Sequence, residues 1–210
     1  MSEMIHPTVD ETRAFMRNIG FSVDKFDITE VYGGFFPVRR VFRIGNQVIK
    51  ALPRSETSEI ELLNLQVLIA HYQESIAVES VDYTVIPSSD YMVIMMPWLG
   101  INLTTLGTHL DMIKMGYDDE IGFRGFSNTS ITNLIHYLGY DHVTFLKRYK
   151  LVHGDIFPNE SPNNVVFHPN YNRLFLIDAE ALQVPTNWRI KSFGSQVQKL
   201  NHWMHRWLVS

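Results

Sequence analysis

Apolar positions along this chain change period several times, and each change predicts an element. Thr8 to Ile19 carries apolar residues at helical spacing and predicts an outer helix. Phe26 to Tyr32 and Phe35 to Ile44 are apolar, partly β-branched runs separated by Gly33-Gly34, and Gly45-Asn46 divides the second from Gln47 to Leu52. Runs of this kind with paired turn residues between them predict a three-stranded antiparallel meander. Ser55 to Tyr72 returns to helical spacing, with Ser55 or Thr57 as cap and acidic residues in the first turn. Val81 to Ile86 and Tyr91 to Met96 predict two further strands around Pro87-Ser88-Ser89-Asp90, and Pro97 ends the second.

After the connector Pro97 to Gly100 the pattern becomes mainly helical. Leu103 to Met115 is loosely helical, Gly116 to Asn128 is a polar, Gly-rich loop, and Ile131 to Tyr149 is the clearest helix of this half. Two short apolar runs follow, Val165 to Phe167 and Leu174 to Ile177, joined by a polar turn. Ser195 to Leu208 predicts an amphipathic helix rich in Trp and basic residues, which with the preceding Trp188-Arg189-Ile190-Lys191 is expected to cap the core. The order, strands first and helices after, predicts an α+β chain with a β-rich part over residues 1–99 and a helical part over residues 100–210.

Composition narrows the function. The 210 residues are 45% hydrophobic, enough for one substantial core or two small lobes sharing a cleft. A formal net charge of -4 excludes the basic surplus of a nucleic-acid binder. No apolar run is long enough to span a bilayer, and the polar N-terminus has no signal-peptide core, so a soluble cytoplasmic protein with no membrane partner is expected. The absence of Cys removes disulfides and thiolate chemistry, and the 9 His are scattered without metal-ligand spacing.

Three polar residues between Val152 and Leu182 stand where packing does not ask for them. Asp155 follows His153-Gly154 after an apolar approach, and the glycine is expected to permit a tight backbone, with φ > 0 open to it. Asn164 begins one strand and Asp178 ends the next, so a hairpin through His168 to Arg173 brings both to one edge. Each alone is an ordinary turn former. Together they offer a carboxylate that orients a hydroxyl and hard oxygen ligands suited to Mg²⁺.

At HGD…NVVF…LIDAE the sequence resembles the protein-kinase-like superfamily, closer to compact atypical kinases and to aminoglycoside and choline kinase-type phosphotransferases than to typical protein kinases. The resemblance implies a two-lobed kinase-like α+β fold with an antiparallel N-lobe that binds nucleotide and a reduced, mainly helical C-lobe carrying the catalytic loop. It implies ATP and Mg²⁺ as cofactors, Asp155 as catalytic carboxylate, Asn164 and Asp178 as metal ligands, His153 as loop support and Glu180 as a further metal or structural contact. Lys50, on the third strand, would bind phosphate oxygens, paired with Glu59 on the next helix as first choice and Glu61 as alternative. Tyr91 to Leu103 resembles the strand and hinge that hold adenine, with polar backbone edges from Met96 to Trp98.

The chain departs from the family at three places. Gly33 and Gly34 would approach phosphate from a loop that lacks G-x-G-x-x-G spacing and is followed by Phe35-Phe36. Glu160 stands where the family has its Asn, so Asn164 implies a short insertion, with Asn159 and Asn163 as fallbacks. Asp178-Ala179-Glu180 replaces Asp-Phe-Gly, and no Ala-Pro-Glu segment follows. Size favours a minimal Ser/Thr protein kinase, whereas His-Gly-Asp and Asp-x-Glu favour a small hydroxylated acceptor of aminoglycoside, choline or sugar type. A catalytically silent kinase-like binding module is the reading from another class, and the C-terminal helix is a possible protein-docking surface.

Overall fold

The computed structural model describes residues 9–18, 28–33, 40–76, 86–87, 91–104, 106–107, 115, 128–157 and 161–206. The chain divides into two compact units, Met1–Trp98 and Leu99–Ser210.

In the first unit, strands β1 (Ile28–Gly33), β2 (Arg40–Ile44), β3 (Gln47–Pro53), β4 (Ile86–Pro87) and β5 (Tyr91–Pro97) form one antiparallel sheet. Their order is β1-β2-β3-β5-β4, so the first three strands are the expected meander and β3 lies at the centre. Gly45 takes φ +55°, which lets β2 return as β3 through two residues with Ile44 facing Gln47. Helix α1 (Val9–Asn18) has Asp10 and Glu11 in its first turn and Arg17 in its last, each favourable to the helix dipole. Its Met16 is buried with Phe42, Ile44, Ile49, Ala51 and Val93 of the sheet. Side chains alternate along a strand, so Lys50, between Ile49 and Ala51, projects to the other face.

Helix α2 (Glu56–Ile76) is longer than its sequence pattern predicts. It starts on a reciprocal serine cap: the Ser58 N–H donates to Ser55 Oγ at 3.2 Å, and the Ser55 N–H donates to Ser58 Oγ at 2.9 Å. This cap fixes the helical phase. Ser58, Glu61, Leu65, Leu68, Ile69 and Tyr72 form its buried stripe, while Glu59 is exposed.

The second unit contains helices α3 (Asn128–Tyr149) and α4 (Asn187–Arg206), and residues 103, 104, 106 and 107 are helical as well. Strands β6 (Ile101–Asn102), β8 (Val165–His168) and β9 (Arg173–Leu176) form a small antiparallel sheet in the order β6-β8-β9. Strand β7 (Val152–His153) pairs separately with β10 (Leu182–Gln183). Leu134, Leu138, Ile156, Phe167, Leu176 and Leu200 belong to the core cluster that joins α3, α4 and the β8–β9 hairpin. Each fully buried aromatic or aliphatic side chain contributes roughly 1.5–3 kcal/mol.

One expectation about this unit changes. The last helix begins at Asn187 and not at Ser195, so Trp188-Arg189-Ile190-Lys191 is part of its first turns, because Thr186 caps it: the Arg189 N–H donates to Thr186 Oγ1 at 3.2 Å. Gly194 lies inside this helix, and among the described residues no atom lies within 4 Å of its missing side chain. Among the described residues, no helix is long and apolar enough to cross a membrane. Residues 77–85 and 108–114, which cover most of one predicted strand and part of a predicted helix, lie outside the described residues.

Candidate active site

The segment after β7 is held from three directions. His153 is fully buried, and its Nε2–H donates to the Ile177 carbonyl at 2.8 Å, while Nδ1 faces the Asp155 N–H at 3.4 Å. One nitrogen donates and the other accepts, which is the neutral imidazole. The His153 backbone N–H in turn donates at 3.0 Å to Nε2 of His142, a buried residue of α3 that stacks on Phe193. Gly154 donates its N–H to the Ala181 carbonyl at 2.8 Å. Among the described residues positive φ does not occur at Gly154. A side chain there would meet only the end of the exposed Gln183 side chain, at 3.1 Å, so neither backbone conformation nor a fixed neighbour demands glycine.

Gln196 of α4 brackets Asp155. Its Oε1 accepts the N–H groups of Ile156 and Phe157, and its Nε2 donates to the Gly154 carbonyl at 2.9 Å. From the other side, Asn164 Nδ2 donates to the Asp155 carbonyl at 2.7 Å. Asp155 thus has its backbone fixed on both flanks while its side chain is exposed. Partial desolvation raises the Asp155 pKa, neighbouring His153 opposes the rise, and Asp178 adds to it.

The β8–β9 hairpin delivers Asn164 and Asp178 to one end, as its register requires. The Ile177 N–H donates to the Asn164 carbonyl at 2.9 Å, so Asp178 is the next residue beyond that bond. Asp178 adopts φ 66°, ψ 74°, a left-handed conformation that Asp tolerates better than most residues, and makes no side-chain cap hydrogen bond to the short helical turn Ala179–Ala181. Strained non-glycine backbone of this kind clusters at functional sites. Asn163 is committed elsewhere: its Oδ1 accepts from Thr104 Oγ1 at 2.6 Å and its carbonyl from Asn102 Nδ2. Glu180 is exposed, and Asn159 and Glu160 lie outside the described residues.

These oxygens are of the hard type that magnesium takes. Asn164 spends its amide nitrogen on Asp155, and among the described residues its Oδ1 accepts no hydrogen bond. That carbonyl and the Asp178 carboxylate are hard donors at adjoining strand ends.

In the first unit Lys50 Nζ is ion-paired to Glu61 Oε1, with side chains 13% and 1% exposed. Glu61, not the first-choice Glu59, is the partner, because the Ser55 cap places Glu61 on the buried stripe. The Trp98 backbone N–H is committed to the Asn46 carbonyl at 2.9 Å, and Arg43 stacks on the Trp98 ring at 3.7 Å. Met96 pairs with Val48 in the ladder. Gly33 ends β1 opposite Arg40, while Gly34 lies outside the described residues.

Breaking a buried ion pair leaves an uncompensated charge and costs about 3–5 kcal/mol. Glu61→Ala should therefore destabilise the fold by roughly 3 kcal/mol in urea unfolding, and Glu59→Ala by less than about 0.5 kcal/mol. Equal effects would remove the distinction between the two.

Burial, the dominant cause, lowers the His153 pKa from 6.5, against the raising effects of its bond to Ile177 and of Asp178 and Asp155. Below pH 6.5 the unfolded chain then binds a proton that the folded chain refuses, so stability falls as pH falls from 6.5 through the folded-state pKa. His153→Gln should flatten that part of the stability profile, read as urea midpoints between pH 7.5 and 5. An unchanged slope would assign it to other groups.

The antiparallel first unit and the mainly helical second unit define a protein-kinase-like α+β fold. The chain is similar to PK-1, a kinase of Cydia pomonella granulovirus, with a TM-score of 0.51 at 16% identity over 85% of this chain and 60% of that one. It thus spans about 60% of the viral kinase's length. The bifunctional kinase–methyltransferase WbdD is a weaker match, with a TM-score of 0.43 at 19% identity over 78% of this chain and 34% of that protein. No family model matches the chain, and no curated protein matches it in sequence.

Gln196 and His142 are site residues that sequence reasoning missed. Gln196 is 40 and 42 positions from its partners, and a glutamine on a helix carries no local signal of such a role.

Proposed function

We propose that this protein is an ATP- and Mg²⁺-dependent phosphotransferase acting on a hydroxyl, and specifically a minimal Ser/Thr protein kinase. The observation that carries the reading is the three-sided clamp on Asp155 by His153, Asn164 and Gln196, which leaves the carboxylate exposed and its backbone fixed. An oriented carboxylate is what phosphoryl transfer asks of the protein, since the remaining catalysis is positioning and charge stabilisation. The acceptor hydroxyl oxygen bonds to the γ-phosphorus, its proton passes to Asp155, and the bond to the β,γ-bridging oxygen breaks to release ADP.

Asn164 Oδ1 and the Asp178 carboxylate would hold Mg²⁺, which when bound neutralises charge on the phosphates. Lys50, oriented by Glu61, would hold phosphate oxygens. A cytoplasmic place of action belongs to the same reading, because ATP is the donor.

The test is transfer of labelled γ-phosphate from ATP, to added acceptors or to the protein itself, together with an ATP-dependent rise in melting temperature with and without Mg²⁺. Stabilisation and transfer that both require Mg²⁺ are expected. Nucleotide binding without transfer would favour a silent binding module, and absence of both would overturn the nucleotide reading.

A further inference from the structure

Asp155 and Gln196 line one side of a cleft of about 460 Å³ in the second unit, whose other side no step above uses. Its far wall is one face of α4: Trp188, Lys191, Ser192, Ser195 and Lys199 recur at the three- and four-residue spacing that aligns side chains along a helix. The opposite face of α4, with Phe193, Leu200 and Met204, is in the core, so the cleft-lining stripe is left to solvent.

Two observations say what it takes. Trp188 is 74% exposed, an indole on the surface at one end of the cleft. Lys191 and Lys199 are exposed and, among the described residues, make no ion pair. Helix α4 holds no Asp or Glu, in a chain whose net charge is -4. The local charge is opposite to that of the whole molecule and sits beside the carboxylate assigned to the acceptor hydroxyl.

Resting on the phosphotransfer reading, we propose that this face of α4 is the acceptor site and that the acceptor is an acidic peptide bearing Ser or Thr. Dimensions favour a chain over a compact molecule. Trp188 and Lys199 are about 16 Å apart along the helix axis, and Lys191 and Lys199 about 12 Å. Gln196, which holds the Asp155 loop, lies between the two lysines. An extended peptide covers about 12 Å in roughly four residues. A central hydroxyl at Asp155 then has acidic side chains about two positions to each side, near the lysines, and an apolar or aromatic end toward Trp188. Exposed Lys–carboxylate contacts of this kind set selectivity and encounter rate, and weaken with salt.

The probe is a peptide with Ser at the centre and Glu two positions before and after it, compared with the same peptide carrying Lys at those positions. Binding to the full chain is read by calorimetry and by Trp fluorescence, and transfer by labelled γ-phosphate. The acidic peptide should bind at least tenfold more tightly than the basic one. The double variant Lys191→Glu/Lys199→Glu, altered only at exposed positions, should reverse that order without changing ATP affinity.

No charge preference, or a preference that survives the double reversal, would overturn the proposal. A phosphorylated polyol used as acceptor in preference to every peptide would overturn it in favour of a small anionic substrate. If the acidic peptide binds as expected and is never phosphorylated, the phosphotransfer reading fails while the peptide surface stands.

Discussion

Asp155→Asn is expected to lower γ-phosphate transfer by about 10³-fold or more, while melting temperature and ATP affinity stay close to wild type. The variant keeps the shape of the side chain and every backbone contact that holds the loop, because Gln196, Asn164 and His153 all grip main-chain atoms of this segment. On the proposed function, what is lost is the group that would take the hydroxyl proton. Unchanged transfer would remove Asp155 from that role. A collapse of stability would mean that the carboxylate is structural.

The same group predicts the acid limb of the pH profile. Desolvation raises the Asp155 pKa above 3.8, His153 pulls it back, and Asp178 pushes it further up. In the proposed reaction the ionised form is the one that acts, so transfer is expected to fall as pH drops through that raised value, with the limb above that of an ordinary carboxylate.

Gly100→Ala is the change expected to damage the fold most. Gly100 has φ +129°, a conformation that side-chain-bearing residues rarely adopt, and a Cβ there would lie 2.2 Å from the Phe167 carbonyl oxygen. The obstacle is backbone of β8, fixed by pairing to both β6 and β9, and cannot rotate away as a side chain would. The loss should be on the order of 3–5 kcal/mol in chemical unfolding. Gly194→Ala is the control: nothing lies near its missing side chain, and a helical Gly→Ala change is expected to stabilise by about 0.5–1 kcal/mol. A Gly100→Ala protein as stable as wild type would show that β6 and β8 can separate at little cost.

How much of this was legible beforehand depends on whether the signal was local. The meander was readable because Gly45-Asn46 must turn between two apolar runs. The hairpin was readable for the same reason, and with it the meeting of Asn164 and Asp178 at one end. The Lys50 partner was not. Glu59 and Glu61 are equivalent until the helix phase is set, and the phase came from the Ser55–Ser58 cap. The early start of α4 was not legible either: the sequence pattern began the helix at Ser195, whereas the Thr186 cap begins it at Asn187.

The sequence alone determined the β2–β3 and β8–β9 hairpins, helices α2 and α3, and the three polar residues that packing does not require, because periodicity and turn chemistry act over a few residues. Only tertiary structure decided which carboxylate meets Lys50, what grips Asp155, and that a basic, acid-free helix face lies beside it. Those depend on contacts across 11, 40 and more positions, where helix phase and chain return set the geometry and no local pattern records it.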